Sequence, residues 1–99
     1  MSYTRVMYFE QPATIPWAEG MKRFRKTAEP ALKKFQKAKV LKNYSVVQTG
    51  DHTGLLIADF PNKAAMNKYL KTMAAIRNEG AEQTGMQYWI YHGPVKASG

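Results

Sequence analysis

Cysteine is absent from the 99 residues, which excludes a disulfide framework, a thiolate metal site and a thiol nucleophile. Histidine is nearly absent, with only His52 and His92. Neither has a histidine or carboxylate partner at helical i, i+4 spacing, so no metal is expected. There is no Gly-rich phosphate loop and no serine on a nucleophile elbow. No apolar run is long enough to span a bilayer, and Met1-Ser2-Tyr3-Thr4-Arg5-Val6 holds no apolar signal region. A cytoplasmic location with no membrane partner is the expectation. Linkers, repeats and low-complexity tracts are also lacking, so 1–99 reads as a single domain.

Acidic residues are scarce too: 7 Asp+Glu stand against 15 Lys+Arg, for a net charge of +8. The excess is concentrated between Glu19 and Lys42, where nine cationic residues face only Glu19 and Glu29. Lys22, Arg23, Lys26 and Lys33 in this stretch are the candidate contacts for nucleic acid or another polyanion. The plainer explanation is a solvated helix face that keeps a small protein soluble.

What is present is apolar periodicity. Arg5 to Glu10 reads as a strand with apolar residues on both faces. Trp17, Met21, Phe24, Ala28, Leu32 and Phe35 then recur at helical spacing. Pro30 falls inside this helix, where it removes a donor and crowds the Lys26 carbonyl, so a kink or break is expected near Glu29. Tyr44 to Thr49 is a second strand. Gly50 and Gly54 bracket a hairpin, with positive φ expected at both. Leu55 to Phe60 is the third strand. Pro61-Asn62 opens a second helix with the buried stripe Met66, Tyr69, Leu70, Met73 and Ile76, stopped at Gly80. Met86 to His92 is the last strand.

This β-α-β-β-α-β order is the ferredoxin-like α+β arrangement, a four-stranded antiparallel sheet with two helices on one face. If Leu56, Ala58 and Phe60 point at the helices, Leu55, Ile57 and Asp59 point away. Val6, Tyr8, one of Val46 and Val47, and one of Tyr88 and Trp89 then enlarge an apolar patch that something must cover. A second copy is the simplest cover, giving a homodimer through the open sheet face. An RNA-recognition sheet fits poorly. The run Thr53-Gly54-Leu55-Leu56-Ile57-Ala58-Asp59-Phe60 has aliphatic residues where stacking aromatics belong, and Asp59 would repel phosphate.

The element order and lengths, the Gly50–Gly54 hairpin and the Phe60-Pro61-Asn62-Lys63-Ala64-Ala65 entry into the second helix together resemble the dimeric α/β-barrel superfamily. That superfamily includes the antibiotic-biosynthesis monooxygenase-like and stress-responsive barrel families. The resemblance implies two sheets packed face to face and a small hydrophobic pocket in each subunit. Its haem-degrading members carry an Asn, Trp, His set. Here Glu10 and Gln11 stand where the Asn would be, no Trp lies near Phe60, and the second helix has no His. Haem degradation is disfavoured, and no cofactor is expected.

Candidate site residues follow from this topology. The end of the first strand should lie beside the start of the third, bringing Glu10 and Gln11 towards His52. At the opposite end Asp59, Arg5 and His92 should converge. Either group could do acid–base work beside an apolar pocket; equally, the histidines could be solvated and Asp59 simply paired with Arg5. The pocket itself would be lined by Tyr8, Trp17, Met21, Phe60 and Tyr88. Trp17 and the methionines Met21, Met66, Met73 and Met86 fit an adaptable site for a flat apolar ligand, and they also fit ordinary core packing. The leading expectation is a homodimeric barrel that binds a small, partly apolar organic molecule, with a metal-free metabolic enzyme as one form of it. The alternative is a non-catalytic basic module that meets polyanions through its first helix.

Overall fold

The computed structural model describes residues 2–99, Met1 lying outside them. The elements are β1 (Tyr3–Glu10), α1 (Trp17–Lys37), β2 (Asn43–Gln48), β3 (Thr53–Phe60), α2 (Lys63–Thr84) and β4 (Gln87–Pro94). The strands form one antiparallel sheet in the order β2-β3-β1-β4. Strand alternation separates its two sides. Leu56, Ala58 and Phe60 of β3 are buried, and Leu55, Ile57 and Asp59 between them are only half-buried. The buried set joins Leu32 of α1, Leu41, and Met66, Tyr69 and Met73 of α2 in one core cluster. Within it the Tyr69 ring packs against Phe60 at 5.0 Å and against Phe35 at 5.5 Å.

Register places Val6 and Tyr8 of β1 beside Ile57 and Leu55 of β3 and beside Tyr91 and Trp89 of β4. Paired residues share a face, so these six, with Val47, make the open side of the sheet. Val47, Trp89 and Tyr91 are 40%, 42% and 66% exposed. The choice between neighbours is thereby resolved: Val47 and Trp89 face outward, and Val46 and Tyr88 face the helices. No helix of the described residues is long and apolar enough to cross a membrane.

Three local expectations are corrected. Gly80 does not stop α2, which continues to Thr84. Gly85 ends it at φ 76°, its N–H donating to the Ala81 carbonyl. Neither Gly50 nor Gly54 has positive φ; among the described residues only Lys39 and Gly85 do. Lys39, at φ 61°, follows α1 in a Schellman arrangement. Its N–H donates to the Gln36 carbonyl, and that of Val40 donates to Phe35.

The third correction concerns α1, which runs unbroken through Pro30. Leu32 is fully buried and Phe24, Ala28, Ala31 and Phe35 pack against the same core. Burial on both sides of the proline holds the helix together across it. Because Pro30 is exposed, its ring contributes little packing against that core. Pro30→Ala should therefore raise stability by about 1–3 kcal/mol, the upper end being the full helix-interior proline penalty. The urea unfolding midpoint measures it, and an unchanged midpoint would contradict the expectation.

Candidate functional site

Tight core packing does not extend along the whole length of α1. Its C-terminal half buries Leu32, but its N-terminal half, carrying Trp17, Met21 and Phe24, stands over a cavity of about 280 Å³ between the helices and the sheet. That volume lies just below the range of about 300–1,000 Å³ usual for small-molecule sites. Alternate residues of β1 (Arg5, Met7 and Phe9) form its floor with Leu56 of β3 and Val46 of β2. Along α2 the i, i+4 series Tyr69, Met73, Arg77 supplies the opposite wall, and Met86 closes one end. Four of the six methionines, Met7, Met21, Met73 and Met86, line it.

Two glycines shape the wall. The Phe9 and Trp17 rings stack at 6.0 Å, 16° from parallel, above Gly54. A Cβ there would lie 2.6 Å from Phe9 Cζ, and 2.9 Å from both Trp17 Cη2 and the Val47 carbonyl oxygen. Gly54 is thus required by close approach rather than by turn geometry. Gly20 on α1 leaves the niche in which the Gln11 amide sits.

The cavity's polar groups are unusual for so apolar an enclosure. Arg5 is 2% exposed and its Nε has no hydrogen-bond partner within the protein. Arg77 Nε and Nη1 and Gln11 Oε1 are likewise buried without partners. The Arg5 guanidinium lies 5.6 Å from the Tyr69 ring centre, and that of Arg77 lies 5.4 Å from the Tyr88 ring centre. Among the described residues the ion pair is Lys33–Glu29 at 3.9 Å, so no carboxylate neutralises either arginine. Burial holds the Arg5 pKa below its ordinary value, with Tyr69 opposing and Arg77 adding to the effect. Burial likewise pushes the Tyr69 hydroxyl up, against the pull of both arginines. Arginine does not deprotonate in proteins, so both charges persist. Each buried donor left unpaired costs about 1–3 kcal/mol, and more when it is charged.

The structure distributes the residues expected from sequence as follows. Trp17 and Met21 stand in the cavity wall. Phe60 lies in the core cluster against Tyr69, outside the wall. Tyr88 carries the Arg77 guanidinium on its ring, and its hydroxyl donates to Asn78 Oδ1 at 3.0 Å. Tyr8 is on the other side of the sheet, 5.5 Å from the Trp89 ring. Alternation is the reason: Tyr8 is one residue out of phase with Met7 and Phe9. Met66 is buried in the core rather than lining the cavity.

The same alternation separates Asp59 from Arg5 and His92. Arg5 pairs with Ala58 and His92, on the helix side, whereas Asp59 is opposite Thr4. Asp59 accepts a 2.5 Å hydrogen bond from Thr4 Oγ1 rather than pairing with Arg5. His92 is exposed on the edge strand. At the other end Gln11 does meet His52, its N–H donating to the His52 carbonyl at 2.8 Å. His52 Nδ1 lies 3.0 Å from the Ile15 carbonyl, an acceptor, so Nδ1 carries the proton. This ring pins the loop that carries Gln11 and Ile15 past the cavity. Glu10 is exposed at the end of β1. Of the basic set, Arg23 lines the cavity while Lys22, Lys26 and Lys33 are exposed on α1. Arg77 is the main residue the stripe reading missed; continuing that stripe four residues past Met73 reaches it.

No family model matches the chain, and no curated protein matches its sequence. Solved structures do match. A dimeric ferredoxin-like protein from an uncultured marine organism superimposes with a TM-score of 0.78 at 10% identity, covering 99% of this chain and 97% of its own. A second dimeric ferredoxin-like protein of marine origin gives 0.75 at 13% identity, covering 98% and 97%. SnoaB, a cofactor-independent oxygenase from Streptomyces nogalater, gives 0.71 at 15% identity, covering 98% and 95%. The chain therefore has the ferredoxin-like α+β fold shared by these dimeric and oxygenase proteins.

Proposed function

We propose that the protein is a homodimer that binds a small, partly apolar organic molecule in the cavity between its sheet and helices. The observation that carries this reading is the cavity itself: about 280 Å³, walled by aromatic and methionine side chains, with a few buried polar groups. Ligand sites in proteins have this composition, and methionine walls adapt to flat ligands of varied outline. The dimer is supported by the open sheet face, whose Val47, Trp89 and Tyr91 are exposed, and by two structural neighbours that are dimeric. Face-to-face pairing of two sheets would cover that patch and leave both cavities on the outer, helical sides.

Methyl NMR tests the site with 2-naphthol as a neutral bicyclic probe. The methyl resonances of Met7, Met21, Met73 and Met86 should shift on titration, while that of Met66, fully buried in the core, should stay in place. No shift, or shifts confined to open-face residues, would exclude the cavity as the site.

A further inference from the structure

Three arginines, Arg5, Arg23 and Arg77, line the cavity, and among the described residues none of them is paired with a carboxylate. Arg5 comes from β1 and Arg77 from α2, and both line the same enclosure. Arg5 is almost wholly buried, with its Nε lacking any partner in the protein, and Arg77 has two such nitrogens. Glu19, the acidic side chain in the wall, is exposed in the first turn of α1 and forms no ion pair with either among the described residues. Folding therefore holds the Arg5 and Arg77 charges near one another, with buried donors unused. Structural arginines are normally satisfied by carboxylates or carbonyls. Unused guanidinium donors suit a planar anion, because their fork matches the two oxygens of a carboxylate.

We infer that the cavity takes an apolar molecule bearing a carboxylate, with the carboxylate oxygens received by Arg5 and Arg77 and the apolar body lying against Trp17 and the methionines. This rests on the cavity reading above and names its ligand class. Tyr88 acts as a positioning residue: its ring supports the Arg77 guanidinium at 5.4 Å, and its own hydroxyl is committed to Asn78.

Isothermal titration with 2-naphthoate and its neutral isostere 2-naphthamide tests the inference. The carboxylate should bind on the order of 10- to 100-fold more tightly than the amide, the effect of a charge-assisted pair. Arg77→Met keeps the unbranched stem and removes the charge. It should cut that preference to the few-fold that Arg5 alone sustains and leave amide binding unchanged, and Arg77→Lys should keep more of it. Arg77→Met should also raise the melting temperature of the ligand-free protein, because it removes an unpaired buried charge. Arg77→Met is preferred to a change at Arg5, whose complete burial puts folding at risk. Equal affinity for the two probes, or a carboxylate preference undiminished in Arg77→Met, would overturn the inference and leave the cavity reading intact. Failure of both probes to bind would overturn the cavity reading and this inference with it.

Discussion

Ile57→Lys should convert a species of about twice the 11.2 kDa chain mass into monomer or precipitate when measured by size exclusion with light scattering at micromolar concentration. Ile57 sits on β3 with Val6 beside it on β1 and Ser45 on β2, in the middle of the open face. In a two-fold interface each substitution occurs twice. The change thus buries two uncompensated ammonium groups. An unpaired buried charge costs about 3–5 kcal/mol, which is enough by itself to weaken association by roughly a hundredfold or more. Asn43→Lys supplies the control, since Asn43 is an exposed residue at the far end of β2 on the same face. Its dimer should persist. A wild-type protein that runs as a clean monomer would sink the barrel model directly.

Gly54→Ala should have the largest effect of any single methyl group. The added Cβ would meet Phe9 Cζ at 2.6 Å and the Val47 carbonyl oxygen at 2.9 Å. An aromatic ring could tilt away, but the carbonyl belongs to the neighbouring strand, where Gln48 pairs with Gly54. The strand and the Phe9–Trp17 stack must both shift. Overpacking of this kind costs about 1–3 kcal/mol, readable as a lower urea midpoint. The shifted rings should also narrow the cavity and weaken 2-naphthol binding. Gly93→Ala is the companion measurement: a Cβ there meets nothing within 4 Å, so stability should hold. Equal effects at the two glycines would show that the ring stack does not set the tolerance at Gly54.

Much of this architecture was legible because period and alternation are local signals. Leu56, Ala58 and Phe60 announced the helix side of β3, and Trp17, Met21 and Phe24 announced one face of α1. Which side a strand offers depends on register, however, and register is decided by pairing between distant segments. Hence Val47 and Trp89 could not be chosen over Val46 and Tyr88, and Asp59 could not be separated from Arg5. Pro30 misled because a local penalty was weighed without the burial of Leu32 and its neighbours that outweighs it. The site was harder still. Arg77 looks like a surface cation in a basic chain, and only its position in the stripe reveals that it points inward. Arg5 groups with Asp59 and His92 until register is known. Gly54 reads as turn chemistry until the rings above it are seen.

β1 has a bearing on how this protein can change over evolutionary time. Its odd-numbered residues Arg5, Met7 and Phe9 line the cavity, and its even-numbered residues Val6 and Tyr8 lie on the open face. A one-residue deletion or insertion upstream of Arg5, accommodated by sliding the strand, would turn every side chain over. Arg5 would then face the open side of the sheet, and Val6 and Tyr8 would enter the cavity. Drift in this segment is therefore confined to substitutions that respect parity, and length changes must be absorbed in the loop beyond Glu10.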